Sequence, residues 1–439
     1  MKADVRRLAG GGAAAAAAFA LHVATLAWFV WRARGDEERL YWEYGGRVLG
    51  RTYTAGYTDW VQHRVGDFPG IELASVHMPY AAPYTGFACE YPPGALWLFG
   101  AIRAAAEDVA GFSSLFHLAM AICCAGCAWI AWRLVAPRAN RAWPALVLIA
   151  LWPLLTGSMA VTRFDPLAAL LGAGAIALAA RGWNAGAGFA AGLGAAVKIW
   201  PGLIVPFLCA MLWRSGRQRA AIVAGSAALA GFALPHLGML ALGTAPHDLL
   251  GYLGYLRDRP PEVESLTANL IALFARATGA DIAAAFDFGS FNLQYEWAAG
   301  WTMTASLINL ALLIALFAAI WFARDRREDA AGSWPRLAAA GGAAVCATIA
   351  CSRVFSSEYL IWLLPFAILA ARAGGGRVAI LCYAGTLLSL KIFYRFPEWP
   401  MGLSTRVIAF SLARNLLVLG MGAALAAGLW RRRLLNSPA

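Results

Sequence analysis

The chain has 439 residues, 61% of them hydrophobic and only 14% charged, with a mean hydropathy of +0.60. That balance excludes a soluble globular domain and indicates a polytopic α-helical membrane protein, because in lipid only a helix satisfies its own backbone groups without water. The formal net charge is +12. Its basic residues stand in short clusters at the ends of apolar segments, a pattern of cytoplasmic loops that argues against a nucleic-acid partner.

Lys2, Arg6 and Arg7 precede an apolar stretch from Leu8 to Trp31. This exceeds the roughly 7–15 residues of a signal-peptide core, so it reads as an uncleaved first span leaving from the cytoplasmic side. It delivers the stretch from Asp36 to Pro93, rich in acids, bases, aromatics and prolines, to the outer face. Residues 93–106 follow as a short apolar helix opening on Pro92-Pro93, with proline suitably placed at a helix start. At about 14 residues it is short for a span and is assigned to the outer face, within a first external loop of 32–111.

The next spans are expected at 112–134, 143–160 and 164–180, then two short pieces at 185–198 and 200–213 meeting at Lys198-Ile199-Trp200-Pro201. Span 219–243 leads to a second external loop, 244–297. Spans 298–323, 336–352, 358–371, 378–394 and 405–430 complete a single domain over 1–439. The expectation is about 12 spans with both termini in the cytoplasm.

This order collects Asp36, Glu90, Arg163, Asp165, Lys198, the Arg257-Asp258-Arg259-Pro260-Pro261 run, Arg353, Lys391 and Arg395 on the outer side. Such a face suits chemistry between groups presented at a membrane surface. Lys198 is the most informative residue. A lysine within a span costs on the order of 2.5–3.5 kcal/mol, so it either snorkels to water or binds an anion. Arg163 and Asp165 begin a span and either pair with each other or meet substrate. Arg353 precedes Ser356-Ser357-Glu358-Tyr359, and it too is suited to a phosphate. Among the acids, Asp36 and Glu37 stand immediately after a span, at a fixed height. That favours them as a general base over Asp59 or Asp67.

Other signals are weaker. The chain has eight cysteines. Cys124-x-x-Cys127 lacks a second pair or a nearby histidine and reads as buried small hydrophobes. His63, His77, His236 and His247 have no metal-ligand spacing, and Gly188-x-x-x-Gly192 reads as a helix-packing pattern. No internal repeat of the transporter kind is evident.

Taken in order, several motifs resemble the GT-C class of integral membrane glycosyltransferases. Within it the chain is similar to glycosyltransferase family 87, the polyprenyl-phosphate-mannose-dependent α-mannosyltransferases. They are Asp36 to Tyr53, with Tyr41, Gly46, Leu49-Gly50 and Tyr53; Glu90-Tyr91-Pro92-Pro93; Lys198-Ile199-Trp200-Pro201 with Pro206; Arg259-Pro260-Pro261-Glu262-Val263-Glu264-Ser265; and Ser356 through Pro365. The resemblance implies a GT-C-like fold and inverting transfer of a sugar on the outer face of the cytoplasmic membrane. The donor would be a polyprenyl-phosphate sugar, and the acceptor a lipid-linked or cell-envelope glycan.

It further implies a catalytic carboxylate just after the first span, met by Asp36 by type and by Glu37 by spacing to Tyr41. Lys198, Arg163 and Arg353 would bind the donor phosphate. Glu90, Tyr91, Asp165, Arg259, Glu358 and Tyr359 would meet substrate. No cofactor and no metal are expected. The stretch from Tyr57 to Ala82 is longer than the resemblance leads one to expect. The reading from another class is a transporter or flippase of a lipid-linked sugar, which needs the cations but no base.

Overall fold

The computed structural model describes residues 2–33, 37–49, 84–85, 89–136, 143–322, 330–372, 375–395 and 403–431. The described part is helical almost throughout: α1 Lys2–Arg32, α2 Glu37–Val48, α3 Pro93–Ala105, α4 Val109–Val135, α5 Trp143–Thr156, α6 Met159–Thr162, α7 Asp165–Ala180, α8 Asn184–Val197, α9 Ile204–Arg214, α10 Gln218–Ala241, α11 Gly251–Asp258, α12 Leu266–Thr278, α13 Ala298–Trp321, α14 Ala330–Cys351, α15 Tyr359–Leu369, α16 Gly376–Phe393 and α17 Thr405–Arg431. A single antiparallel hairpin, β1 Ala283–Asp287 and β2 Ser290–Gln294, lies between α12 and α13.

Among the described residues seven helices are long and apolar enough to cross a membrane: Gly12–Arg32 of α1, then α4, α10, α13, Trp334–Cys351 of α14, α16 and Thr405–Leu429 of α17. Five shorter apolar helices accompany them. Helices lie at each position where a span is expected, but among the described residues seven have the length to cross unaided, against the expected count of about 12, and the shorter Leu266–Thr278 falls inside the expected second external loop. Trp31, Trp143, Trp183 and Trp297 stand exposed at helix ends, as expected of an aromatic belt at the membrane boundary. The stretch Tyr57–Ala82, Asp36, His63 and His77 lie outside the described residues.

α15 is apolar all round, and Leu360 through Leu369 are all buried. A helix without a polar face belongs in a core, and α15 packs against α4, α7, α14 and α16. α13 is its opposite: only Thr302, Leu316 and Ile320 are buried, and Met303, Leu307, Ile308, Leu310 and Ile314 face outward. Gly188 and Gly192 do form a packing seam. A Cβ on either would lie 2.0 or 1.9 Å from the carbonyl oxygens of Ala224 and Ala228 on α10, so only glycine permits the close approach of α8 and α10.

The 244–297 segment is folded: α11, α12 and the hairpin occupy most of it. The hairpin turns on Phe288 and Gly289, both at positive φ (48° and 71°), the two-residue geometry that matches strand twist. All eight cysteines are free thiols, and Cys124 donates to the Ala160 carbonyl at 3.3 Å within the bundle.

One expectation about side placement is directly checkable. A cysteine at position 258, where Asp258 is exposed, is expected to react with an impermeant thiol reagent on intact cells. A cysteine at exposed position 218 should react only after permeabilisation. The reverse pattern would invert the expected orientation.

Candidate active site

The ends of many segments converge on one cavity of about 460 Å³. Its wall includes Glu37 and Leu40 of α2, Glu90-Tyr91-Pro92 before α3, Arg163 before α7, Lys198 to Trp200 between α8 and α9, and Arg259 with Glu262 to Glu264 after α11. The hairpin tip, Arg353 to Tyr359 between α14 and α15, and Tyr394 beyond α16 complete it.

Local sequence explains these placements. α8 ends at Lys198, whose backbone turns extended (φ −154°, ψ 127°), because Pro201 cannot continue the helix. Pro93 starts α3 at a position where a missing N–H costs nothing. α2 is fixed from below: Glu38 meets Nε2 of His117 on α4 at 2.5 Å, both buried, and Tyr41 stacks on Phe99 of α3 with ring centroids 4.4 Å apart. With Glu38 and Tyr41 locked, Glu37 is held at the cavity wall.

The charges are paired across segments. Arg163 Nη2 lies 2.5 Å from Glu37 Oε1, and Lys198 Nζ lies 3.0 Å from Asp165 Oδ1. Arg163 and Asp165 therefore bond other segments and do not simply anchor each other. Trp362 Nε1 also donates to Asp165 Oδ1, at 2.5 Å. Lys198 does not snorkel: its side chain is 13% exposed and is ringed by Phe164, Tyr359, Trp362 and Tyr91, with centroids 4.5 to 5.9 Å from Nζ. Cation–π contacts hold an ammonium where solvent is scarce.

Glu90 accepts from the Tyr44 hydroxyl at 3.0 Å; burial raises its carboxyl above the usual range. Burial alone would raise Glu358 as well, but Arg163, Lys198 and the Ser356 hydroxyl outweigh it and hold this carboxyl below the usual range. Arg259 is loosely paired, its Nη2 3.8 Å from Glu262 Oε1. Among the described residues, buried Nε of both Arg163 and Arg259 have no hydrogen-bond partner. Such groups are costly unless a ligand completes them.

Arg353 behaves differently. Its Nη1 donates to the carbonyls of Arg257 and Arg259, and its own carbonyl accepts from the Glu262 N–H at 2.8 Å. It lines the cavity while tying the loop after α11 to the end of α14.

Thus Glu37, Glu90, Tyr91, Arg163, Lys198, Arg259, Arg353, Glu358 and Tyr359 share one cavity, with Asp165 directly behind Lys198. Sequence reasoning placed Glu262 and Glu264 in a motif without giving either a role, and did not single out Arg414. Arg414 is 1% exposed within α17, and an isolated arginine inside an apolar span was the signal available. It meets Glu264 Oε2 at 2.6 Å and the Glu264 carbonyl at 2.9 Å.

A helical bundle with lipid-facing helices and a buried cavity of paired carboxylates and cations defines a polytopic membrane protein with a polar reaction or binding site. The sequence model of glycosyltransferase family 87 matches residues 90–334. The match takes in more than half of the chain, and the chain belongs to that family. Glu90, Arg163, Asp165, Lys198, Arg259 and Glu262 lie inside the matched region, whereas Glu37, Arg353 and Glu358 lie outside it. No curated protein matches the chain.

Proposed function

We propose that the protein transfers a sugar from a polyprenyl-phosphate donor to a lipid-linked or cell-envelope acceptor, with inversion, at the outer face of the cytoplasmic membrane. The observation that carries this reading is the meeting of a carboxylate, Glu37, with largely shielded cations in one cavity at the helix ends. Glu37 accepts the acceptor hydroxyl's proton, and that oxygen attacks the anomeric carbon. The bond from that carbon to the phosphate oxygen breaks, and polyprenyl phosphate leaves.

Lys198, Arg163 and Arg259 take the growing phosphate charge, in a site where fixed donors act with little solvent competition. Arg259 joins this set because its pairing is loose. Arg353 instead holds the loop that carries it. Glu90, Tyr91, Asp165, Glu358 and Tyr359 shape the surroundings of the sugar and the cations. Mannose is the sugar favoured by the family resemblance.

Lys198→Ala is expected to weaken binding of a polyprenyl-phosphate sugar by about tenfold or more, the scale of one lost charge-assisted contact of ~1.5–3 kcal/mol. Lys198→Arg should restore binding only in part, because a planar fork replaces a point charge inside the aromatic ring of neighbours. Equilibrium binding in detergent measures both, and unchanged affinity in Lys198→Ala would remove this residue from the phosphate site. The transporter reading is tested in vesicles. Movement of labelled lipid without any glycosidic product, with native acceptor supplied, would replace the enzyme reading.

A further inference from the structure

Two glutamates lie close together on the segment after α11, and the structure treats them differently. Glu264 is claimed by Arg414 and by the Ser357 hydroxyl, and Asn415 Nδ2 bonds its carbonyl at 3.1 Å. Glu262 is 7% exposed and lines the cavity. Its backbone is fixed by its bond to Arg353 and by an antiparallel bridge to Asn292 of β2. Its side chain has only the 3.8 Å approach of Arg259, and its buried Oε2 has no hydrogen-bond partner among the described residues.

The titratable groups that act on it are Arg259 and Glu264 on its own segment, Glu358 and Tyr359 at the start of α15, and Arg414 on α17. Arg414 is already committed to Glu264. Glu90 and Asp287 also act on Arg259 or are acted on by it. An anion arriving at Arg259 therefore enters a neighbourhood crowded with carboxylates, where one charge must be given up.

We propose that Glu262 takes up a proton when a lipid phosphate binds beside Arg259, and then donates a hydrogen bond from its Oε2 to that phosphate. This rests on the phosphate-donor reading of the cavity. The proton comes from solvent on binding. During transfer the electrons of the broken carbon–oxygen bond stay on the phosphate, whose charge grows. The acceptor's proton goes to Glu37, and the Glu262 hydroxyl faces the phosphate as its charge builds. A carboxylic acid kept neutral to donate a hydrogen bond is an established way of stabilising such charge. Burial, with Glu264 and Glu358 nearby, pushes this carboxyl up to about 7 even with Arg259 acting against it. It is therefore poised to change state near neutral pH.

The test uses the full chain in detergent or nanodiscs and a prenyl methyl phosphodiester, a probe that carries one negative charge throughout the range. A group titrating at about 7 is about ten-elevenths protonated at pH 6 and about one-eleventh at pH 8. Wild type should therefore bind the probe about tenfold more weakly at pH 8 than at pH 6. Calorimetry near pH 7.5 in buffers of different ionisation enthalpy should report net proton uptake.

Glu262→Gln cannot ionise but keeps an amide donor, so its binding should lose the pH slope. A flat wild-type profile, or no proton uptake, overturns the assignment while leaving the phosphate site intact. A slope that survives in Glu262→Gln moves the proton to another carboxylate, Glu90 first, and overturns it equally. No binding at any pH overturns the phosphate site and this inference together. Should Glu262→Gln fail to fold, Glu90→Gln takes its place: a pH slope and proton uptake that persist in Glu90→Gln support the assignment, and their loss there overturns it.

Discussion

Glu37→Gln is expected to reduce sugar transfer by about 10²–10⁴-fold, the usual worth of a positioned general base. The amide preserves shape and can still bond Arg163, but it cannot accept the acceptor's proton. The loss should fall on turnover, with donor binding retained, because the cations that face the phosphate remain. Asp36→Asn, made in parallel, tests the neighbouring register. Only the true base shows the full loss, and transfer of radiolabelled sugar from a polyprenyl-phosphate donor to a membrane-lipid extract measures it. Near-full turnover in both variants would place the base elsewhere, with Glu90 the next carboxylate to replace.

The second large effect is on stability. Arg414 and Glu264 form a 2.6 Å ion pair with side chains 1% and 7% exposed. Around it Asn415, Asn269 and Ser357 extend a buried network, and Ser357 also bonds the hydroxyl of the more exposed Tyr394. Removing one partner of such a pair strands a buried charge and typically costs about 3–5 kcal/mol. Arg414→Met should therefore lower the thermal transition of the purified protein sharply. The double change Arg414→Met with Glu264→Leu should recover a large part of the loss, because no charge is left without its partner. If the double variant is as unstable as the single one, the pair is not the source of the stability. Because Glu264 shares its segment with Arg259 and Glu262, the single variant should also weaken donor binding.

The sequence by itself determined the class of the protein, its long apolar helices, and the candidates for the cavity, but not the helices and hairpin inside the expected external loops. Long apolar runs have one solution in lipid, so the helices could be read from composition and length. Charged residues at the ends of such runs are expensive anywhere but at a boundary or a site, so Lys198, Arg163, Asp165, Glu90 and Arg259 stood out. The packing role of Gly188 and Gly192 followed from small residues at helical spacing.

Only the tertiary structure decided the pairing. Nothing in the spacing of Arg163 and Asp165 says that the first turns to Glu37 and the second to Lys198. Those partners are set by how α2, α7 and α8 dock. Equally, Glu262 and Glu264 are indistinguishable along the chain. Arg414 lies 150 residues from Glu264 and neutralises one of them, which leaves the other facing the cavity. Side-chain partners at such separations depend on which helix faces meet, and local sequence pattern carries no record of that. The same holds for Arg353, whose charge suggested a phosphate ligand. The fold directs its guanidinium to two backbone carbonyls, one in the last turn of α11 and one in the loop that follows.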